Sequence, residues 1–269
     1  MAKRIGRRRI EAILRDLNSQ DQSSTGSRSG LKGFEMPAFQ LQRAKYFGFH
    51  DDFDVVNGSQ DLAVNEDMAQ ATAISTGRWD VVIGGTNDGV TLSSTEPGGV
   101  VVLNTGDSDN AVTHMHAPVT PFVLDAANAR KVWWETRLKL EDVDKTGIFI
   151  GLCSANGAVE TDIDNIEDGV GFYMKAGDAS TDLKLNTSVG DSETATDVDT
   201  VLADNTYINL AFYFNGTVVE AYVNGILKAS ASATLPTDGT ILFPSIIVSA
   251  EGTGAKDIFV DYMTCCMER

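Results

Sequence analysis

The chain is short of cysteine, proline and histidine, with 3, 6 and 3 of them among 269 residues. The cysteines, Cys153, Cys265 and Cys266, are odd in number and lack paired spacing, which argues against a disulfide framework. Few prolines beside 25 glycines suit a chain of many tight turns and few rigid breaks. The three histidines, His50, His114 and His116, leave little room for imidazole chemistry, and no Gly-x-Ser-x-Gly turn accompanies them. The longest nearly apolar run, residues 241–250, is half the roughly 20 residues that a bilayer-spanning helix needs, so no membrane partner is expected. The first residues carry charge with no apolar stretch behind them, so no secretory signal is expected, and synthesis and assembly are placed in a reducing cytoplasm. Gly169 and Gly171 fall in a strand context, not a phosphate-binding loop, and no cofactor is expected.

What is present is an ordinary apolar fraction, 42%, and a strongly acidic balance of −17. The charge is divided. Residues 1–17 hold Lys3, Arg4, Arg7, Arg8, Arg9 and Arg15 against Glu11 and Asp16, a net +4 that leaves −21 on the rest. Ile5, Ile10, Ile13, Leu14 and Leu17 recur at helical spacing among those cations, predicting a short amphipathic helix over residues 5–17. Alone, such a helix is marginal in water and needs a partner surface. Residues 18–30 lack apolar side chains and read as a tether. Residues 31–49 add Phe34, Phe39, Tyr46, Phe47 and Phe49, a second anchoring segment. The arm, residues 1–45, is thus set apart from a body, residues 46–269.

Within the body the period is two. In Val132–Leu140, Trp134, Leu138 and Leu140 face one way and Glu135, Arg137 and Lys139 the other, a strand with one wet face. Residues 147–153 follow after a turn, and Val170, Phe172 and Met174 alternate in the next strand. Residues 207–214 place Ile208, Leu210, Phe212 and Phe214 on one face. Asn215-Gly216 and Asn224-Gly225 then predict two type I′ turns and a three-strand meander. A last strand is expected over residues 257–263. No alternation of strands and helices appears, so an antiparallel two-sheet sandwich is the natural way to bury these faces.

These residues carry a resemblance. The pieces Asp51-Asp52-Phe53, residues 98–107, Val132–Leu140, residues 147–152, Asp168-Gly169-Val170-Gly171-Phe172-Tyr173, Tyr222-Val223-Asn224-Gly225 and Val260-Asp261-Tyr262 resemble the concanavalin A-like (laminin G-like) jelly rolls, above all those of virion structural proteins of tailed bacteriophages. The resemblance covers residues 50–265. It implies an all-β jelly-roll sandwich, to which the extended basic N-terminal arm read above is joined. It also implies a non-enzymatic virion structural protein, such as a capsid decoration (cement) protein. The arm residues Arg4, Arg7, Arg8, Arg9, Ile10, Ile13, Leu14 and Leu17 would dock on the major capsid protein or other virion subunits, with homo-oligomerisation, as a trimer, adding avidity. A carbohydrate-binding, lectin-like module on the same particle is the alternative, because this fold hosts many jobs.

Several residues are of types that can carry chemistry. Glu160, Asp162 and Asp164 alternate as the carboxylates of concanavalin-like glycanases do, but their segment has few strand formers and reads as a loop. Asp162, Asp164, Glu167 and Asp168 offer oxygen ligands for Ca²⁺, yet the calcium-loop spacing is missing and a solvated acidic loop is expected. His114 and His116 share a strand face and could hold a metal, though no third ligand is apparent nearby. No metal is expected. Trp133 is predicted to face outward beside Glu135, where it could stack on a sugar or anchor an interface, unless a loop covers it. Arg7, Arg8 and Arg9 could touch phosphates, but the overall charge argues against independent nucleic-acid binding.

Overall fold

The computed structural model describes residues 46–51, 79–83, 89–93, 95–96, 100–107, 109–118, 121–154, 163, 166–175, 182–237, 239–252 and 254–268. The expected arm, with its helix and all eight docking residues, lies outside them, as do Glu160, Asp162 and Asp164.

The described strands are β1 (Tyr46–Asp51), β2 (Asp80–Ile83), β3 (Gly89–Leu92), β4 (Val101–Asn104), β5 (Val112–His116), β6 (Val132–Leu140), β7 (Thr146–Cys153) and β8 (Gly169–Met174). They continue as β9 (Asp182–Val189), β10 (Ser192–Val201), β11 (Ile208–Phe214), β12 (Val219–Val223), β13 (Ile226–Ala231), β14 (Phe243–Ala250) and β15 (Asp257–Glu268). They form two antiparallel sheets. The first runs β13-β12-β11-β6-β15-β4-β3, with β1 also on β15, and the second runs β10-β9-β8-β7-β14-β5-β2. Strand β15 is longer than the expected 257–263 because one of its sides meets two strands in turn: Asp257 to Val260 pair with β4, and Met263 to Glu268 with β1.

The core lies between the sheets. Trp134 is fully buried and stacks on Phe212, with centroids 5.3 Å apart, and Phe172 of the second sheet meets it at 6.2 Å. Leu138, Leu140, Leu210, Phe214, Ile148, Ile150, Val170 and Ile246 fill the same layer. Each comes from the alternate positions that the two-residue period assigns to one face.

The meander β11–β12–β13 forms as expected, but its two turns differ. Asn224 and Gly225 both have positive φ, 49° and 78°, as a type I′ turn requires. At the first turn only Gly216 does, and the Asn215 side chain instead accepts from the backbone N–H groups of Thr217 and Val218. Ala129 stands 2.8 Å from where a Gly216 Cβ would lie, so the glycine is required by space as well as by φ.

The edges of the two sheets meet at one rim. Edge strands β10 and β13 lie there, tied by Lys228 Nζ donating to the Asp199 carbonyl at 3.3 Å. The rim carries exposed Val201, Ile226 and Leu227.

Replacing Trp134 by Ala removes the ring that joins the two inner faces. It should destabilise the chain by about 3–5 kcal/mol, read as a fall in the urea midpoint with an unchanged slope.

Candidate functional site

The outer face of the first sheet carries a run of polar and aromatic side chains. It is built on β6, whose outward positions are Trp133, Glu135, Arg137 and Lys139. The partner strand β15 supplies the key irregularity. Its register to β6 shifts between Val260 and Tyr262, so Asp261 is an extra residue. A strand without this bulge would send one of Asp261 and Tyr262 into the core; with it, both bond to outward-facing β6 side chains. Asp261 then meets Arg137 at 2.5 Å, and the Tyr262 hydroxyl donates to Glu135 at 2.5 Å. Burial pushes the Glu135 carboxyl up, against the hydrogen bonds from Tyr262 and the Trp133 indole that pull it down. Burial, with the charge of Glu135, also pushes the Tyr262 phenol up.

Farther along β6, the Arg137 guanidinium lies 3.8 Å from the centroid of the Tyr207 ring. Lys139 donates to Glu96 at 2.5 Å and sits 4.5 Å from the Phe259 ring centroid. That hydrogen bond holds the Glu96 carboxyl below its ordinary range. The Tyr207 phenol is pushed up to about 12 by burial and by the nearby Glu96 charge.

At the other end, Trp133 does point away from the inter-sheet core but is not exposed. It is 2% accessible, closed in by Tyr213, Tyr222, Ala211 and Cys266. Tyr213 and Tyr222 lie with centroids 6.1 Å from its own. Residue alternation could place Trp133 on this face but could not show that neighbouring strands raise two tyrosines over it. Any sugar or protein contact there falls to Tyr213 and Tyr222, which are half-buried. The Tyr222 hydroxyl donates to Glu220 at 2.7 Å, and burial with that carboxylate pushes the phenol up to about 12.

The outer face of the second sheet holds the histidines. One register row places Asp80, His116, Ser245, Gly151, Gly171 and Asn186 side by side across β2, β5, β14, β7, β8 and β9. Asp80, His116 and Ser245 thus stand in the order of an acid–base–nucleophile relay. Ser245 is fully buried, however, and its hydroxyl donates to the Phe243 carbonyl at 3.0 Å, so the row offers no accessible nucleophile. Gly151 and Gly171 let β7 and β8 approach: a Cβ on Gly151 would lie 2.3 Å from the Val170 carbonyl oxygen. In the next row His114 is buried beside Ile247 and Phe149. The pair is therefore largely enclosed, and its rings lie 4.9 Å apart.

Of the acidic loop, Glu167 and Asp168 are described. The Asp168 carboxylate accepts from Gly190 N–H at 3.1 Å, and the Glu167 carbonyl accepts from Ser188 and Asp191. They brace the β9–β10 turn. Among the described residues no group of three His, Cys, Asp or Glu side chains could hold a metal as they stand. Cys265 points into the core and Cys266 packs on Trp133, the one-in, one-out arrangement of a strand pair.

This architecture is that of the concanavalin A-like sandwich. Solved structures share it: the metal-free carbohydrate recognition domain of Emp46p (TM-score 0.55, 9% identity, 80% of this chain and 94% of that one), and peanut lectin (0.55, 11%, 83% and 97%). A β-1,3-glucanase from Mycobacterium marinum does so too (0.51, 14%, 83% and 100%). At these identities the likeness is one of fold. No protein-family model and no curated protein matches the chain.

Burial holds the His114 imidazole down to about 3, against an ordinary 6.5, and the His116 charge adds to the effect. Between those limits the unfolded chain takes up a proton that the folded one refuses, so stability falls as pH falls. From pH 7.5 to pH 5 this costs about 2 kcal/mol. Urea titrations at both pH values should show that loss in the wild type, and it should shrink in His114→Leu to the part that the buried His116 ring contributes in the same direction.

Proposed function

We propose that the chain is a non-catalytic structural protein of a tailed-phage particle, a capsid decoration protein that docks through its arm. The observation that carries this reading is the division of charge, +4 on residues 1–17 and −21 on the remainder. A cationic arm on a long polar tether is steered to an acidic groove of a partner while the acidic body repels its neighbours and stays outside. The resemblance of the body to phage virion jelly rolls supports the same assignment. A repeating shell rewards repeated weak contacts, so trimers of the body would bind it more firmly than single copies. Assembly would take place in the host cytoplasm.

Full-length protein and a form lacking residues 1–45 should both fold, with equal near-ultraviolet dichroism. Only the full-length form should cosediment with undecorated particles. Equal cosedimentation of the truncated form removes the arm from the docking role.

A second reading is favoured by one observation, the half-buried Tyr213 and Tyr222 beside the Glu135–Tyr262 pair. Aromatic faces next to carboxylate acceptors suit a saccharide. The lectin and carbohydrate recognition domains among the structural neighbours support it. On a glycan array, this reading expects hits that the Tyr213→Ala, Tyr222→Ala double variant loses; no hit above background counts against it.

A further inference from the structure

His114 and His116 are neither core residues satisfied by hydrogen bonds nor surface residues satisfied by water. Nε2 of His114 and Nδ1 of His116 are both buried and have no hydrogen-bond partner. A neutral imidazole has one donor and one acceptor nitrogen, and leaving either unpaired away from water is costly. The two rings are side by side on β5, centroids 4.9 Å apart. Two imidazoles bound to one zinc ion, with Zn–N of about 2.0–2.1 Å and a near-tetrahedral angle between them, have centroids about 5 Å apart. On the neighbouring strand Asp80 stands directly opposite His116. It is half-exposed, and β2 is an edge strand, so this side is where an ion would enter.

We propose that His114, His116 and Asp80 form a binding site for a divalent transition metal ion of the zinc class. The two imidazoles are its pre-set half, and Asp80 joins by rotating about its side-chain torsions, since three ligands do not yet converge. Two nitrogens and one carboxylate suit Zn²⁺, Ni²⁺ or Cu²⁺ and not Ca²⁺ or Mg²⁺, which require oxygen ligands. Val112, Phe149 and Ile247 line the same face and keep bulk water from one side of the site. Water completes the coordination from the β2 edge. This site lies on the opposite sheet from the tyrosine face.

The test is calorimetric titration of the full chain with ZnCl₂ at pH 7.5 in a non-chelating buffer. One ion per chain is expected. His114→Gln and His116→Gln should each weaken binding at least about 100-fold, and Asp80→Asn about tenfold. Absence of saturable binding, or a His114→Gln, His116→Gln double variant that binds as the wild type does, overturns the proposal. Imidazole ¹⁵N spectra of the unmutated protein keep it testable if the variants misfold. Added Zn²⁺ must shift His114 Nε2 and His116 Nδ1; a shift confined to His50, or no shift, overturns it equally.

Discussion

The first sheet depends on where β15 is inserted. This strand pairs with β6 along one side and with β4 and then β1 along the other. Remove it and the sheet falls into a piece made of β13, β12, β11 and β6 and a piece made of β4 and β3, with β1 left unpaired. Neither piece could cover the inner face of the second sheet. The contacts that β15 makes are also among the most distant in sequence, since β1 begins at Tyr46 and its partner residue is Glu268. Loop closure over such spans is slow, and the sandwich is therefore a slow-folding topology held by late contacts.

The same strand builds the outer face. Its bulge turns both Asp261 and Tyr262 toward Arg137 and Glu135, so a single added residue creates an ion pair and a buried phenol–carboxylate pair together. Half-buried pairs of this kind add modest stability but fix side-chain positions. The result is a rigid, pre-arranged surface on one sheet, while the second sheet keeps its polar row beneath a largely apolar cover that includes Ile163 and Ile166.

Much of the fold was legible from residue order alone. Trp134, Leu138 and Leu140 declared the inner face of β6, and the alternation in residues 207–214 declared that of β11. Asn224-Gly225 declared its turn. The strand β10 was not legible, because Thr, Ser, Asp and Glu dominate it and no apolar alternation survives. Strand β14 was hidden in an apolar run, as a strand covered on both faces shows no period of two. The sites were less legible than the fold. A bulge leaves no mark in local sequence, so the Glu135–Tyr262 pair had no signal. Cross-strand register likewise could not be read, and with it the neighbourhood of Asp80 and His116. The cover over Trp133 comes from Tyr213 and Tyr222, residues whose spacing from it means nothing until the strands are placed.

The two strand edges at opposite ends of each sheet are unequal. Strands β2 and β3 are four residues long, too short to template a neighbour. The other rim, β10 and β13, is longer and carries Val201, Ile226 and Leu227, but it also bears Glu193, Asp197, Asp199 and Lys228. Polymerisation through strands needs two matching open edges on every molecule. The short ends and the charged rim each work against edge-to-edge growth, so contact between neighbouring copies need not turn them into fibres.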